Sequence, residues 1–161
     1  MNRLIALLSL IALVLCGPAV ALPLNPTDGP SRVFEVVSAD FGLFNSAESG
    51  RPLFESVKVV PLTPDQSYGW VILLRTNKPT IKWREEFTLP TKPDTWGAPE
   101  SQGTRSVSTD GRVSITEREV SPERGIIFNS WAVAPGDPKG RYVIRVFIEG
   151  SLAHVFEFDV Q

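Results

Sequence analysis

One cysteine, one histidine and a near balance of charge are what this chain offers to chemistry, and each shortage removes a class of function. Cys16 is the sole thiol in 161 residues, so no intramolecular disulfide can form and no thiolate cluster can hold a metal. His154 is the only imidazole, and any Ser-His-acid triad would have to be built through it. Neither a Gly-x-Ser-x-Gly elbow nor an Asp-x-Asp-x-Asp-Gly calcium loop occurs. No metal and no cofactor are expected. Sixteen basic against eighteen acidic side chains give a net charge of −2, scattered along the chain. A nucleic-acid ligand would want a concentrated basic surface, so none is expected. The longest apolar run falls well short of the roughly 20 residues that span a bilayer.

That run, Leu4 to Leu15, follows a short basic start at Asn2 and Arg3 and precedes Ala19-Val20-Ala21, with small residues at alternate positions. The pattern predicts a secretory signal cleaved after Ala21 and a periplasmic or secreted product with no membrane span after its removal. Lipidation at Cys16 is the lesser alternative, because Leu15 stands where lipoprotein signals carry a small residue. Removing 21 of 161 residues leaves 140, without a thiol and enough for one domain with its own core. The expected organisation is a signal over 1–21, a Pro-rich leader over 22–31 and a single domain over 32–161.

Within that domain the periodicity is that of strands. On the even positions Tyr142, Ile144, Val146 and Ile148 share a face while Arg141 and Arg145 point away, the period of two of a half-buried strand. Glu149-Gly150 suits a tight hairpin turn, since Gly accepts positive φ, and Leu152, Phe156, Phe158 and Val160 resume the pattern. Further segments are predicted over 32–44, 56–62, 68–76, 80–89, 104–108, 112–120 and 126–133, separated by turn signals such as Thr63-Pro64-Asp65 and Thr109-Asp110-Gly111. Apolar residues at i, i+3, i+4 and i+7 between proper caps are missing. The expectation is an all-β, antiparallel sandwich of seven to eight strands with little helix.

Gly140-Arg141-Tyr142 at the start of the hairpin resembles the tyrosine corner of immunoglobulin-like domains, in which a Tyr bonds back to the upstream backbone two residues before a Cys. Ile144 takes the Cys position here, and the spacing from Asp137 is one residue longer than in antibodies. Trp70 or Trp83 is then the candidate for the large aromatic between the sheets. Tyr68-Gly69-Trp70, Trp83-Arg84-Glu85, Leu89-Pro90, Trp96-Gly97, Gly140-Arg141-Tyr142 and Phe156-Glu157-Phe158 together resemble a family of small exported bacterial immunoglobulin-like sandwich proteins of unknown function. The resemblance covers most of the domain, rests on fold signatures and implies no catalytic residue.

Candidate site residues are few. His154 shares parity with Leu152 and Phe156 and reads as a structural residue at the sandwich edge. Glu85 shares parity with Ile81, Trp83, Phe87 and Leu89. One reading buries it as a general acid of a glycan hydrolase, which needs a second carboxylate roughly 5–10 Å away. The favoured reading is structural: a bulge at Arg84-Glu85-Glu86 turns it outward, or Arg75 or Arg145 pairs with it. Trp96 lies in a proline-broken loop, either as a binding platform or as a lid over the core. Lys82, Arg84 and Glu86 form a charged outer ladder, a solvated face that could also contact a partner. Ser114, Thr116 and Arg118 read as the polar face of an edge strand. The function expected is a non-catalytic binding or accessory module for a protein or glycan, with a cofactor-free hydrolase as the alternative.

Overall fold

The alternating segments become ten strands in two sheets. The computed structural model describes residues 33–46, 52–97 and 103–161. The expected signal, Cys16 and the Pro-rich leader lie outside the described residues. The strands are β1 (Phe34–Ser46), β2 (Pro52–Ser56), β3 (Val59–Val60), β4 (Ser67–Thr76), β5 (Ile81–Thr88), β6 (Thr104–Val107), β7 (Val113–Val120), β8 (Ile126–Ala132), β9 (Gly140–Ile148) and β10 (Ser151–Val160). One sheet runs β2-β1-β4-β8 and the other β3-β10-β9-β5-β7-β6. All pairings are antiparallel except β3 with β10. Among the described residues no helix is long and apolar enough to cross a membrane.

The segment predicted over 56–62 divides. β2 ends at Ser56 in the smaller sheet, and β3 pairs at Asp159↔Val59 in the larger one, so the chain changes sheets at Val57-Lys58. No periodicity spans such a change, because each sheet sets its own inner face.

Between the sheets lie the inward residues of β4, β5, β9 and β10. Trp70 and Trp83 are both buried and meet edge to face, ring centroids 5.4 Å apart, so the two candidates for the central aromatic share that place. Phe41 stacks on Phe158 at 4.0 Å and ties β1 to β10. The tyrosine corner forms: Tyr142 Oη donates to the Pro138 carbonyl at 2.7 Å. Glu149 and Gly150 both take positive φ, 49° and 80°, with Ile148 and Ser151 paired across them. This is the pairing of positive angles that a two-residue type I′ turn requires.

Two strands depart from their sequence reading. In β10 a register shift between Leu152 and His154 breaks the shared parity, leaving Leu152 opposite Phe147 and more than half exposed. β7 is inverted relative to expectation. Its neighbours are β5 and β6, so β6 takes the edge. Ser114 and Thr116 point inward and are fully buried, because the register sets Thr116 beside Glu85 and Ser114 beside Phe87. The two hydroxyl residues of VSITEREV therefore face the core, while Glu117 and Glu119 face outward.

Candidate functional site

Glu85 stays on the inward parity of β5, whose registers with β7 and β9 run without a bulge. It is fully buried, and its partners come from the opposite sheet. Trp70 on β4 donates its indole N–H to Oε2. On β8, Asn129 Nδ2 donates to both oxygens at 3.1 and 3.2 Å, and Trp131 Nε1 to Oε1 at 2.9 Å. The carboxylate thus pins the two sheets together through three side-chain donors, where an antibody-type domain uses a disulfide. Burial pushes its pKa above the ordinary carboxylate value, against the three hydrogen bonds and the Arg118 charge, which lower it. The two expected structural arrangements are both corrected. Arg75 faces Glu35 at 3.4 Å, and Arg145 stands opposite Glu86 on the outer face.

Trp131 links this buried group to one end of the sandwich. A cleft of about 350 Å³ opens there, lined by Tyr68 at the start of β4, Phe87 and Leu89 at the end of β5, Trp96, Arg105 on β6, and Trp131 to Pro135, with Asp65 and Asp137 also contributing. Trp96 folds back as the lid reading expected, yet it also walls this cleft. Its ring lies 5.7 Å from Phe87 and 5.9 Å from Trp131, and its indole N–H donates to the Gly111 carbonyl at 2.9 Å. Arg105 locks the same loop by donating to the Trp96 carbonyl at 2.8 Å, and its guanidinium lies 4.8 Å over the Trp131 ring. On the far loop Asp137 accepts from the Ala134 N–H at 2.8 Å. Gly136, at φ 86°, has Asp94 where a Cβ would stand, 2.1 Å from its Oδ2. The missing side chain lets the two loops close on each other.

The charged ladder lies elsewhere, on the outer face of the larger sheet. Lys82 Nζ is 3.9 Å from Glu119, while Arg84 pairs with Glu86 and covers the Phe147 ring at 4.2 Å. Lys82 and Arg84 border a depression of about 370 Å³ with Thr104, Glu117 and Glu119. None of the three ladder residues lines the cleft that Trp96 walls. His154 is exposed at the open edge beside β1, its ring 4.4 Å from Phe156. Asn129, Trp131, Tyr68, Arg105 and Asp137 were not among the site residues expected from the sequence. The signal for two of them was present: Ile127, Asn129, Trp131 and Val133 alternate on one parity, and an Asn among such neighbours needs a buried partner.

Residues 39–161 match the model of the PM0630 beta sandwich domain family. The chain belongs to that family. An immunoglobulin-like protein of Pseudomonas aeruginosa aligns with the chain at a TM-score of 0.54 and 17% identity, over 83% of this chain and 100% of that one. It supports the immunoglobulin-like fold expected from the hairpin and the tyrosine corner. An alkylpurine DNA glycosylase of Pseudomonas fluorescens bound to DNA aligns at a TM-score of 0.34 and 15% identity, over 65% of this chain and 27% of that one, a likeness too low to carry an argument. No curated protein matches the chain.

Proposed function

We propose that the protein is an exported, non-catalytic binding module that engages its protein or glycan partner at the end of the sandwich walled by Trp96. Export rests on the N-terminal signal pattern. The observation that carries the binding reading is the cleft itself: two indoles, each with its N–H already committed, present a fixed aromatic wall beside polar groups of both signs. Aromatic walls with a few placed polar groups are the usual make-up of ligand sites, and a cleft of this volume lies within their range. The non-catalytic half draws on Glu85. Both its oxygens are taken by N–H donors from the opposite sheet, and it lines neither the end cleft nor the depression on the outer face. A general acid must reach the bond it protonates.

Tryptophan fluorescence of wild type and Trp96→Phe, with acrylamide quenching, tests the reading against envelope glycan and envelope protein fractions. One fraction should protect a quenchable signal that Trp96→Phe lacks. Equal quenching in every fraction would overturn the proposal. Release of sugar from a glycan, lost in Glu85→Gln, would replace it with the hydrolase.

A further inference from the structure

The end cleft contains a polar group that the fold does not use. Tyr68 is only 2% exposed and lines the cleft, yet its hydroxyl makes no hydrogen bond among the described residues, whereas the Tyr142 hydroxyl bonds to Pro138 at 2.7 Å. Asp137 lines the same cleft, and one of its oxygens is held by the Ala134 N–H. The other has no hydrogen-bond partner among the described residues. Burial, and after it the Asp137 charge, pushes the Tyr68 pKa well above its ordinary value, so the hydroxyl is a neutral donor and acceptor close to a carboxylate. Beside this pair stand the Trp96 and Trp131 rings, whose orientations are fixed by the Gly111 carbonyl and by Glu85.

Charge narrows the ligand. An anion entering the cleft meets two carboxylates, Asp65 and Asp137, against the one guanidinium of Arg105, which is already turned to the Trp96 carbonyl and the Trp131 ring. An organic cation finds Arg105 already over the Trp131 ring, the place a cation would seek. A neutral ring with an apolar face and a rim of hydroxyls meets neither obstacle. It can lay its face on the aromatic wall and bond its rim to a hydroxyl and a carboxylate. We infer that the cleft is a subsite for one neutral pyranose ring, with Tyr68 and Asp137 as the groups that bond its hydroxyls. This rests on the binding-module reading above and makes its partner a neutral glycan.

Titration of the purified protein with cellotriose, maltotriose and the N-acetylglucosamine trimer, followed by tryptophan fluorescence and calorimetry, tests the assignment. A trigalacturonate and a glucosamine trimer serve as the anionic and cationic probes. At least one neutral trimer should bind more tightly than either charged probe. Tyr68→Phe should weaken that binding about 2- to 12-fold, the worth of one lost hydrogen bond, while its Tm stays at or above wild type, because the hydroxyl bonds nothing within the fold. Binding indifferent to Tyr68→Phe, or preference for a charged probe, would overturn the subsite. Protection of Trp96 by an envelope protein fraction with no response to any sugar would overturn the glycan assignment and leave the binding module standing. Silence toward every sugar and every fraction would overturn both.

Discussion

β7 and β9 flank β5 in the same sheet and face the same partner sheet, yet they line the interior with opposite chemistry. β9 sends in Tyr142, Ile144, Val146 and Ile148, none more than 1% exposed, and the only side-chain hydroxyl among them is satisfied by Pro138. β7 sends in Ser114, Thr116 and Arg118. The hydroxyls of Ser114 and Thr116 and the Trp83 indole nitrogen are buried with no hydrogen-bond partner among the described residues. One half of the core therefore holds by apolar burial, which is non-directional. The other holds by the directed bonds of Trp70, Asn129 and Trp131 to Glu85, beside two hydroxyls and an indole N–H that make no hydrogen bond among the described residues. The two halves should fail in different ways.

Glu85→Leu should expose the difference most. It removes the acceptor from two buried donors and from Trp131 at once, for a loss of about 3–5 kcal/mol, whereas Ile144→Val on the apolar side should lose about 0.5–1.5 kcal/mol. Urea denaturation of both variants measures the gap. A Glu85→Leu protein as stable as Ile144→Val would mean that the polar half is held by packing as well.

The same carboxyl should make stability depend on pH. Its folded pKa lies above the ordinary value of 4.5, so the folded state keeps the proton longer than the unfolded chain does. Its favourable contribution is complete below pH 4.5 and is lost as pH rises through the folded value, with a slope approaching 1.4 kcal/mol per unit. Asp137, also raised by burial, acts in the same direction. Asp110 and Glu149 are lowered, so they act below the ordinary carboxylate value, and the tyrosines act only above pH 10. Denaturation midpoints from pH 4.5 to 8 should fall for wild type and fall less for Glu85→Gln. Parallel curves would place the titration on another group. On the apolar side Tyr142→Phe should lose about 1 kcal/mol, one net hydrogen bond, equally at every pH in that range.

The apolar half was legible in the sequence because its pattern has one solution. Tyr142, Ile144, Val146 and Ile148 can be buried together only by a period of two, and Glu149-Gly150 fixes the return. The tyrosine corner followed from the Gly140-Arg141-Tyr142 start. The polar half was not legible. In 113–120 the β-branched Val113 and Ile115 compete with Ser114 and Thr116 for the inner face, and only the register Glu85↔Thr116 decides between them. Glu85 itself could be placed inward by parity, but its partners are two indoles and an amide from strands 15 to 46 residues away, and no local spacing announces such a meeting. Trp96 was recognisable as a loop aromatic. The cleft it walls was not, because it takes Tyr68, Arg105 and Asp137 from three separate stretches of chain.

The smallest expected effect has the opposite sign. Thr116→Val keeps the shape of the side chain and deletes a fully buried hydroxyl that bonds nothing among the described residues. Burying such a group without a partner costs about 1–3 kcal/mol, so its removal should raise stability by up to about 1 kcal/mol once the altered packing is included. On the apolar side no single substitution of equal size should do the same, since every inward group of β9 is either apolar or hydrogen-bonded. Urea denaturation of Thr116→Val beside Ile144→Val would show one midpoint rising and the other falling. A fall in both would mean that the Thr116 hydroxyl has a partner in solution, an ordered water bridging it to Glu85 being the chemically fitting one. The polar half would then be a satisfied network, its bonds to Glu85 worth more than the three direct donors alone provide.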